Sequence, residues 1–282
     1  MIQNSKKVVV VYHGDCPDGF SGAWAAWKKF GRRAEYIPAA DRKNPPSGLK
    51  NKTVYCIDFT YPLEATRKLI RENRRVVILD HHASMGASIR LAPEHVFDND
   101  HSGAVIAWRY FHPGKPLPPL LRYVEDYDLW RFKLPASAEL HTLIDLTALE
   151  FRAWNKLAAG FADPSKRRKL ADNGRVLLAY QEALVKDIAA GAELVEFGGK
   201  KVLAVNSPIF ADQLGHLLSA RRPPFAVIWR IEHRKLRVSL RANRSFDAAK
   251  LAAQFGGAGH KQSSGFRLPA DSPLPWRRVK EN

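Results

Sequence analysis

Apolar positions in the first 80 residues fall in short unbroken runs rather than in alternation. KKVVVVYH (6–13) is one such run, and KTVYCID (52–58) and RRVVILD (74–80) repeat it. Runs of this kind predict strands covered on both faces. Between them, GFSGAWAAWKKFG (19–31) and YPLEATRKLIREN (61–73) have helical apolar spacing. Gly31 closes the first helix, and Pro62 sits near the first turn of the second. Strands separated by helices of this length need right-handed crossovers, hence a parallel sheet.

From about Ser102 to Gly191 the pattern turns mostly helical, ending in the long RRKLADNGRVLLAYQEALVKDIAAG (167–191). After Ala192 it changes again. ELVEFGGKKVLAVN (193–206) predicts a hairpin turning at Gly198-Gly199, FADQLGHLLSAR (210–221) a helix, and FAVIWRIEHRKLRVSLRAN (225–243) two alternating strands. The expected organisation is a first domain over 1–165, a helical linker over 166–192 and a smaller α/β domain over 193–282.

Charge and cysteine content narrow the partners. The 282 residues carry a formal charge of +17, which points to an anionic partner. Residues 193–282 hold +9 of it, against +8 over residues 1–192, so the last third is the more basic. Two cysteines, Cys16 and Cys56, cannot build a disulfide framework, which fits a reducing compartment. No apolar stretch approaches the roughly 18 residues needed to cross a bilayer. The expectation is a cytoplasmic protein without a membrane partner.

Chemistry gathers where the three predicted strands end. His13, Asp15 and Asp18 follow the first, Asp58 closes the second, and Asp80-His81-His82 follow the third. Ligands of open parallel sheets bind at the carboxyl ends of strands. Adjacent strands would crowd these carboxylates and imidazoles into one crevice, which only protons or divalent cations can neutralise. Mixed Asp and His donors suit Mn²⁺, Zn²⁺ or Fe²⁺ better than Ca²⁺. In FGGAGH (255–260), Gly256, Gly257 and Gly259 either form a turn or let backbone amides approach a phosphate beside His260. Arg241 could pair with that phosphate bidentately.

HGDCPDG (13–19), CID (56–58) and LDHH (79–82) resemble the first three motifs of the DHH phosphoesterases, and YVEDYDLW (123–130) resembles the fourth. RVSLRANRSFDAAKLAAQFGGAGHKQSSGF (237–266) is similar to the DHHA1 module found after them. The resemblance implies an α/β chain: a parallel-sheet DHH domain with a helical extension, linked to a smaller α/β DHHA1 domain. It implies two divalent ions, Mn²⁺ foremost. His13, Asp15 and Asp58 would hold one; Asp18, Asp58, His81 and Asp126 would hold the other, with Asp58 bridging. Asp126 and Asp128 compete for the last place, and the alignment of Val124-Glu125 with the helix end favours Asp126.

In the same reading His82 faces the scissile phosphate and Asp80 orients the imidazoles, while Arg241, Gly256, Gly257, Gly259 and His260 bind substrate. The implied activity is hydrolysis of short single-stranded oligonucleotides or small nucleotides, as by nano-RNases and pAp phosphatases. A RecJ-like exonuclease and a cyclic-dinucleotide phosphodiesterase are the alternatives. A non-catalytic binder ranks last because no motif carboxylate is missing. A second copy of the chain, as a homodimer, is the one protein partner left open.

Overall fold

The computed structural model describes residues 6–39 and 43–279. They divide into two compact units, with the boundary between Leu178 and Ala179. In the first unit the chain runs β1 (Val8–His13), α1 (Pro17–Phe30), β2 (Ala34–Ala39), β3 (Thr53–Ile57), α2 (Leu63–Glu72) and β4 (Arg75–Asp80). Next come α3 (Gly86–Ile89), β5 (Glu94–Phe97), α4 (Gly103–Phe111), α5 (Pro119–Asp128), α6 (Ser137–Asp145) and α7 (Phe151–Ala162). The long helix α8 (Pro164–Ala190) spans the boundary.

The five strands form one parallel sheet in the order β2-β1-β3-β4-β5. The three apolar runs are its central strands, buried on both faces. Side chains alternate between two cores, as a pleated sheet requires. Val10, Tyr55, Val77 and Leu79 face the layer that contains α1 and α4, whereas Val9, Val54, Cys56 and Ile78 face the opposite side. The pattern gave no sign of β2 and β5. Both are edge strands: β2 (AEYIPA) is largely half-exposed and holds Pro38, and β5 (EHVF) has only four residues. Proline is admissible on an edge because its missing N–H need not pair inward.

The helical stretch packs onto α1 through aromatic residues. Trp154 of α7 is fully buried, lies edge-on to Phe20 at 4.9 Å and donates Nε1–H to Ser21 Oγ at 3.0 Å. Trp24 Nε1–H reaches Asn155 Oδ1 at 3.1 Å. These contacts fix the helix that carries Asp18 into the crevice.

The second unit continues with β6 (Glu193–Phe197), β7 (Lys200–Asn206), α9 (Ala211–Arg221), β8 (Phe225–Glu232) and β9 (Lys235–Ala242). It closes with α10 (Ala248–Ala253), β10 (Ala258–Gly259), β11 (Ser263–Pro269) and β12 (Arg277–Arg278). Its sheet order is β10-β11-β9-β8-β7-β6-β12. Gly198 and Gly199 turn the β6–β7 hairpin with φ of 57° and 69°, a twist that favours glycine at both positions. Val195, Phe197, Phe225, Val238 and Phe266 are among the buried residues of its core. Among the described residues, no helix is long and apolar enough to cross a membrane.

Trp154→Ala should lower the unfolding free energy by about 3–5 kcal/mol, since it opens a cavity and orphans Ser21. Urea denaturation followed by circular dichroism measures this. A loss below about 1 kcal/mol would show that the helices lend α1 little support.

Candidate metal centre

The register β1-β3-β4 puts three strand ends side by side. His13 is the last residue of β1, Asp58 follows β3 directly, and Asp80 ends β4 with His81 and His82 behind it. Asp58 has φ of 53°, which turns the chain sharply as it leaves the sheet; aspartate is one of the few non-glycine residues that tolerate this. Its N–H still bonds Leu79 O at 2.9 Å, so the turn is anchored to the neighbouring strand.

Asp58 stands between two imidazoles. Its Oδ2 is 3.3 Å from His13 Nδ1, and its Oδ1 is 3.1 Å from His81 Nε2. Around the first oxygen gather His13 and Cys16, with Sγ 3.1 Å from His13 Nδ1 and 3.5 Å from Asp58 Oδ2. Beyond the second oxygen, His81 Nε2 lies 3.9 Å from Asp18 Oδ2 and 3.7 Å from Asp128 Oδ2. Groups that could hold an ion result, among them His13/Cys16/Asp58, Asp18/His81/Asp128 and Asp58/Asp80/His82, and Asp58 belongs to or adjoins each of these three.

Other groups hold these side chains in place. Asp18 accepts from Gly103 N at 2.8 Å and Ala104 N at 3.0 Å, the first amides of α4. A helix N-terminus favours such an anion. Gly103 makes the approach feasible: a Cβ there would lie 2.5 Å from Asp58 Cβ and 3.0 Å from Asp18 Oδ2. Ser102 caps α4 through Oγ, which accepts from Val105 N. Asp80 is fully buried. Its Oδ1 accepts from His82 Nδ1 at 2.7 Å and from the amides of His81 and His82, while Oδ2 accepts from Thr60 Oγ1 at 2.5 Å. It orients His82 through this network.

The electrostatics express crowding. Burial pushes the Asp18 carboxyl well up, and the Asp128 and Asp58 charges push it further. Burial likewise raises Asp128 to about 6, although its side chain keeps 28% exposure and solvent tempers the effect. For Asp58 the burial penalty is outweighed by hydrogen bonds from His13 and His81 and the charge of His82, which hold it well below the carboxylate range. Burial disfavours charge on His81, but its bond to Asp58 and the nearby carboxylates overcome this and raise it to about 10. Three carboxylates and these imidazoles suit divalent cations.

The structure brings His13, Asp18, Asp58, His81 and His82 together, and places Asp15 and Asp126 outside the metal-competent groups among the described residues. Asp15 is exposed and joins none of the metal-competent groups among the described residues. The half-turn before α1 places Cys16 there instead. Asp126 is buried beneath the loop that leaves α5, where its carboxylate accepts from Lys133 N at 3.0 Å and Leu134 N at 3.1 Å. Asp128, two residues later and on a different side of the helix, stands with Asp18 and His81. Glu125 is half-buried; it accepts from His101 Nδ1 and Ser102 N at 3.0 Å, tying α5 to the cap of α4.

In the second unit, Arg241 is paired with Asp212 at 2.6 Å and crosses over Gly215. Gly256 N and Gly257 N donate to Ala253 O and Ala252 O, closing α10, so those amides are engaged within the chain rather than open to phosphate. Gly259 (φ 144°) has no room for a Cβ against Ser263 O, and His260 N donates to Ser263 O at 2.7 Å. These glycines first serve the fold. Arg241 and the His260 ring keep chemistry suited to phosphate.

Two outcomes follow from this geometry. Asp128→Asn should cost one of two bound ions per chain, measured by elemental analysis. Asp126→Asn should instead cost about 1–3 kcal/mol of stability, because the two N–H groups address different carboxylate oxygens and an amide turns an NH2 donor toward one of them. The reverse order would return the ligand role to Asp126. In chelated protein, His81 titrates at about 10 when folded against an ordinary 6.5. The stability this contributes is present in full below pH 6.5 and is lost as pH rises through about 10. The melting temperature of chelated wild type should therefore fall between pH 7 and 10, and His81→Asn should flatten the profile; an unchanged slope in the variant would refute this.

No family model matches the sequence. The uncharacterized protein R106 of Acanthamoeba polyphaga mimivirus is 30% identical over 300 residues, covering 97% of this chain and 70% of that protein. The fold is similar to the DHH domain of a member of the s1p family of ribosomal proteins (TM-score 0.62, 12% identity, 92% of this chain and 82% of that one). It is also similar to the pGpG-specific phosphodiesterase PggH of Vibrio cholerae (TM-score 0.51, 14% identity, 94% of both chains). RecJ of Thermus thermophilus, in complex with Mn²⁺, matches with TM-score 0.51 and 14% identity over 93% of this chain and 50% of that one.

Proposed function

Since the chain belongs to one family with the mimiviral protein R106 and has the fold of DHH domains, we propose that it is a metal-dependent phosphoesterase using two divalent ions. The observation that carries this reading is Asp58, whose two oxygens address two separate donor groups about one carboxylate. Bound ions at such a centre supply Lewis-acid activation of water and phosphate. The chain's own residues do the rest. Asp58, His13, His81, Asp18 and Asp128 would hold the ions, and α4 keeps Asp18 aimed. Burial and the charges of Asp80 and Asp58 act in opposition on His82; the charges prevail and raise its pKa. An imidazole held there can donate a hydrogen bond to a phosphoryl oxygen as charge develops.

The substrates we assign are short single-stranded oligonucleotides or small nucleotides, and the expected ion is Mn²⁺. The likeness to PggH, which is named for pGpG, supports a linear dinucleotide, and RecJ in complex with Mn²⁺ supports the ion. Within the second unit, Arg241 and His260 offer a phosphate a charge and a hydrogen-bonding ring, and the basic balance of residues 193–282 favours an anionic ligand.

Turnover of pAp, pGpG, a cyclic dinucleotide and a 20-nucleotide single strand should be measured side by side, with Mn²⁺ and after chelation. We expect pAp or pGpG to be cleaved fastest, chelation to abolish activity and Mn²⁺ to restore it. Undiminished turnover in chelator would overturn the metal reading. A preference for the long strand would replace the substrate assignment with an exonuclease.

A further inference from the structure

We infer that Cys16 is a metal ligand, so that one of the two ions sits in a His13–Cys16–Asp58 site with a thiolate donor. The inference rests on the two-ion reading and specifies one of its positions. An oxygen ligand was expected there from Asp15, but Asp15 is exposed and outside every metal-competent group among the described residues. Pro17 starts α1 immediately after Cys16, leaving Sγ at the N-cap, where it accepts from Gly19 N at 3.3 Å. The same atom lies 3.1 Å from His13 Nδ1 and 3.5 Å from Asp58 Oδ2. One imidazole nitrogen, one sulfur and one carboxylate oxygen thus converge within 4.8 Å of one another. A cap alone would not need a sulfur, since serine, threonine or aspartate caps better.

Without an ion, the thiol proton is directed at Asp58 Oδ2. An ion seated among the three atoms takes the place of that proton, which passes to solvent, and sulfur binds as thiolate. The consequence is selectivity. Thiolate with imidazole favours Zn²⁺, Co²⁺ or Fe²⁺ over Mg²⁺, whereas Asp18, Asp128 and His81 form the harder, oxygen-rich site suited to Mn²⁺. The two positions of one centre would then prefer different metals.

Cobalt titration of the full chain tests this through absorption as well as stoichiometry. Wild type should bind two Co²⁺ per chain and show a sulfur-to-cobalt charge-transfer band in the near ultraviolet. Cys56→Ala should keep the band, because Cys56 is buried in the apolar layer on the other face of the sheet. Cys16→Ser preserves a capping oxygen yet should lose the band and bind one of its two ions on the order of tenfold or more weakly. Asp15→Asn should retain both ions and the band. Two ions without a band, or a band that survives Cys16→Ser, would overturn the inference and leave the two-ion reading standing. If wild type bound no cobalt, both would fall.

Discussion

A single carboxylate, Asp58, held between His13 and His81 at the end of the central strand, sets the terms for everything around it. It is nearly inaccessible to solvent, so its charge must be matched from within the protein. The match comes from imidazoles on the two adjacent strands, which is only possible because β1, β3 and β4 are neighbours with parallel ends in register. Sheet order and the site's charge balance are therefore one constraint. A slip of one residue in either pairing would turn the histidines to the opposite face.

Around this pivot the remaining carboxylates are handled in distinct ways. Asp80 is surrounded by donors and serves as a fixed acceptor that aims His82. Asp18 receives two helix amides yet remains under pressure from its neighbours. Asp128 stands on the rim, with solvent as partial relief. This grading leaves a compact region in which negative charge is concentrated but incompletely offset, as expected of a centre that accepts cations.

Much of this was legible in the sequence because strands buried on both faces leave a plain signature, and so do charged residues that terminate them. The three central strands, the crevice at their ends, the second α/β unit and its glycine turn could all be read that way. The edge strands could not, since β2 and β5 lack an apolar run and gain order only from a neighbour. Within the site, motif spacing cannot decide what local geometry decides, the direction of each side chain. Asp126 and Asp128 differ by two positions, about 200° around a helix, and only the return of the chain onto Asp126 shows which one is committed to the loop. Cys16 has the same character: its place depends on the tight start of α1, which no spacing rule captures.

The fit of Gly103 against Asp58 and Asp18 also bears on descent. It makes position 103 a marker that can be read from sequence alone, although the residue has no chemistry of its own. A related chain that keeps the histidines and aspartates but carries a larger residue there cannot seat the start of α4 on the same carboxylate. Such a chain would have retained the motif while losing the geometry. Sorting relatives by this silent position should separate working centres from vestigial ones more cleanly than counting the residues that do the binding.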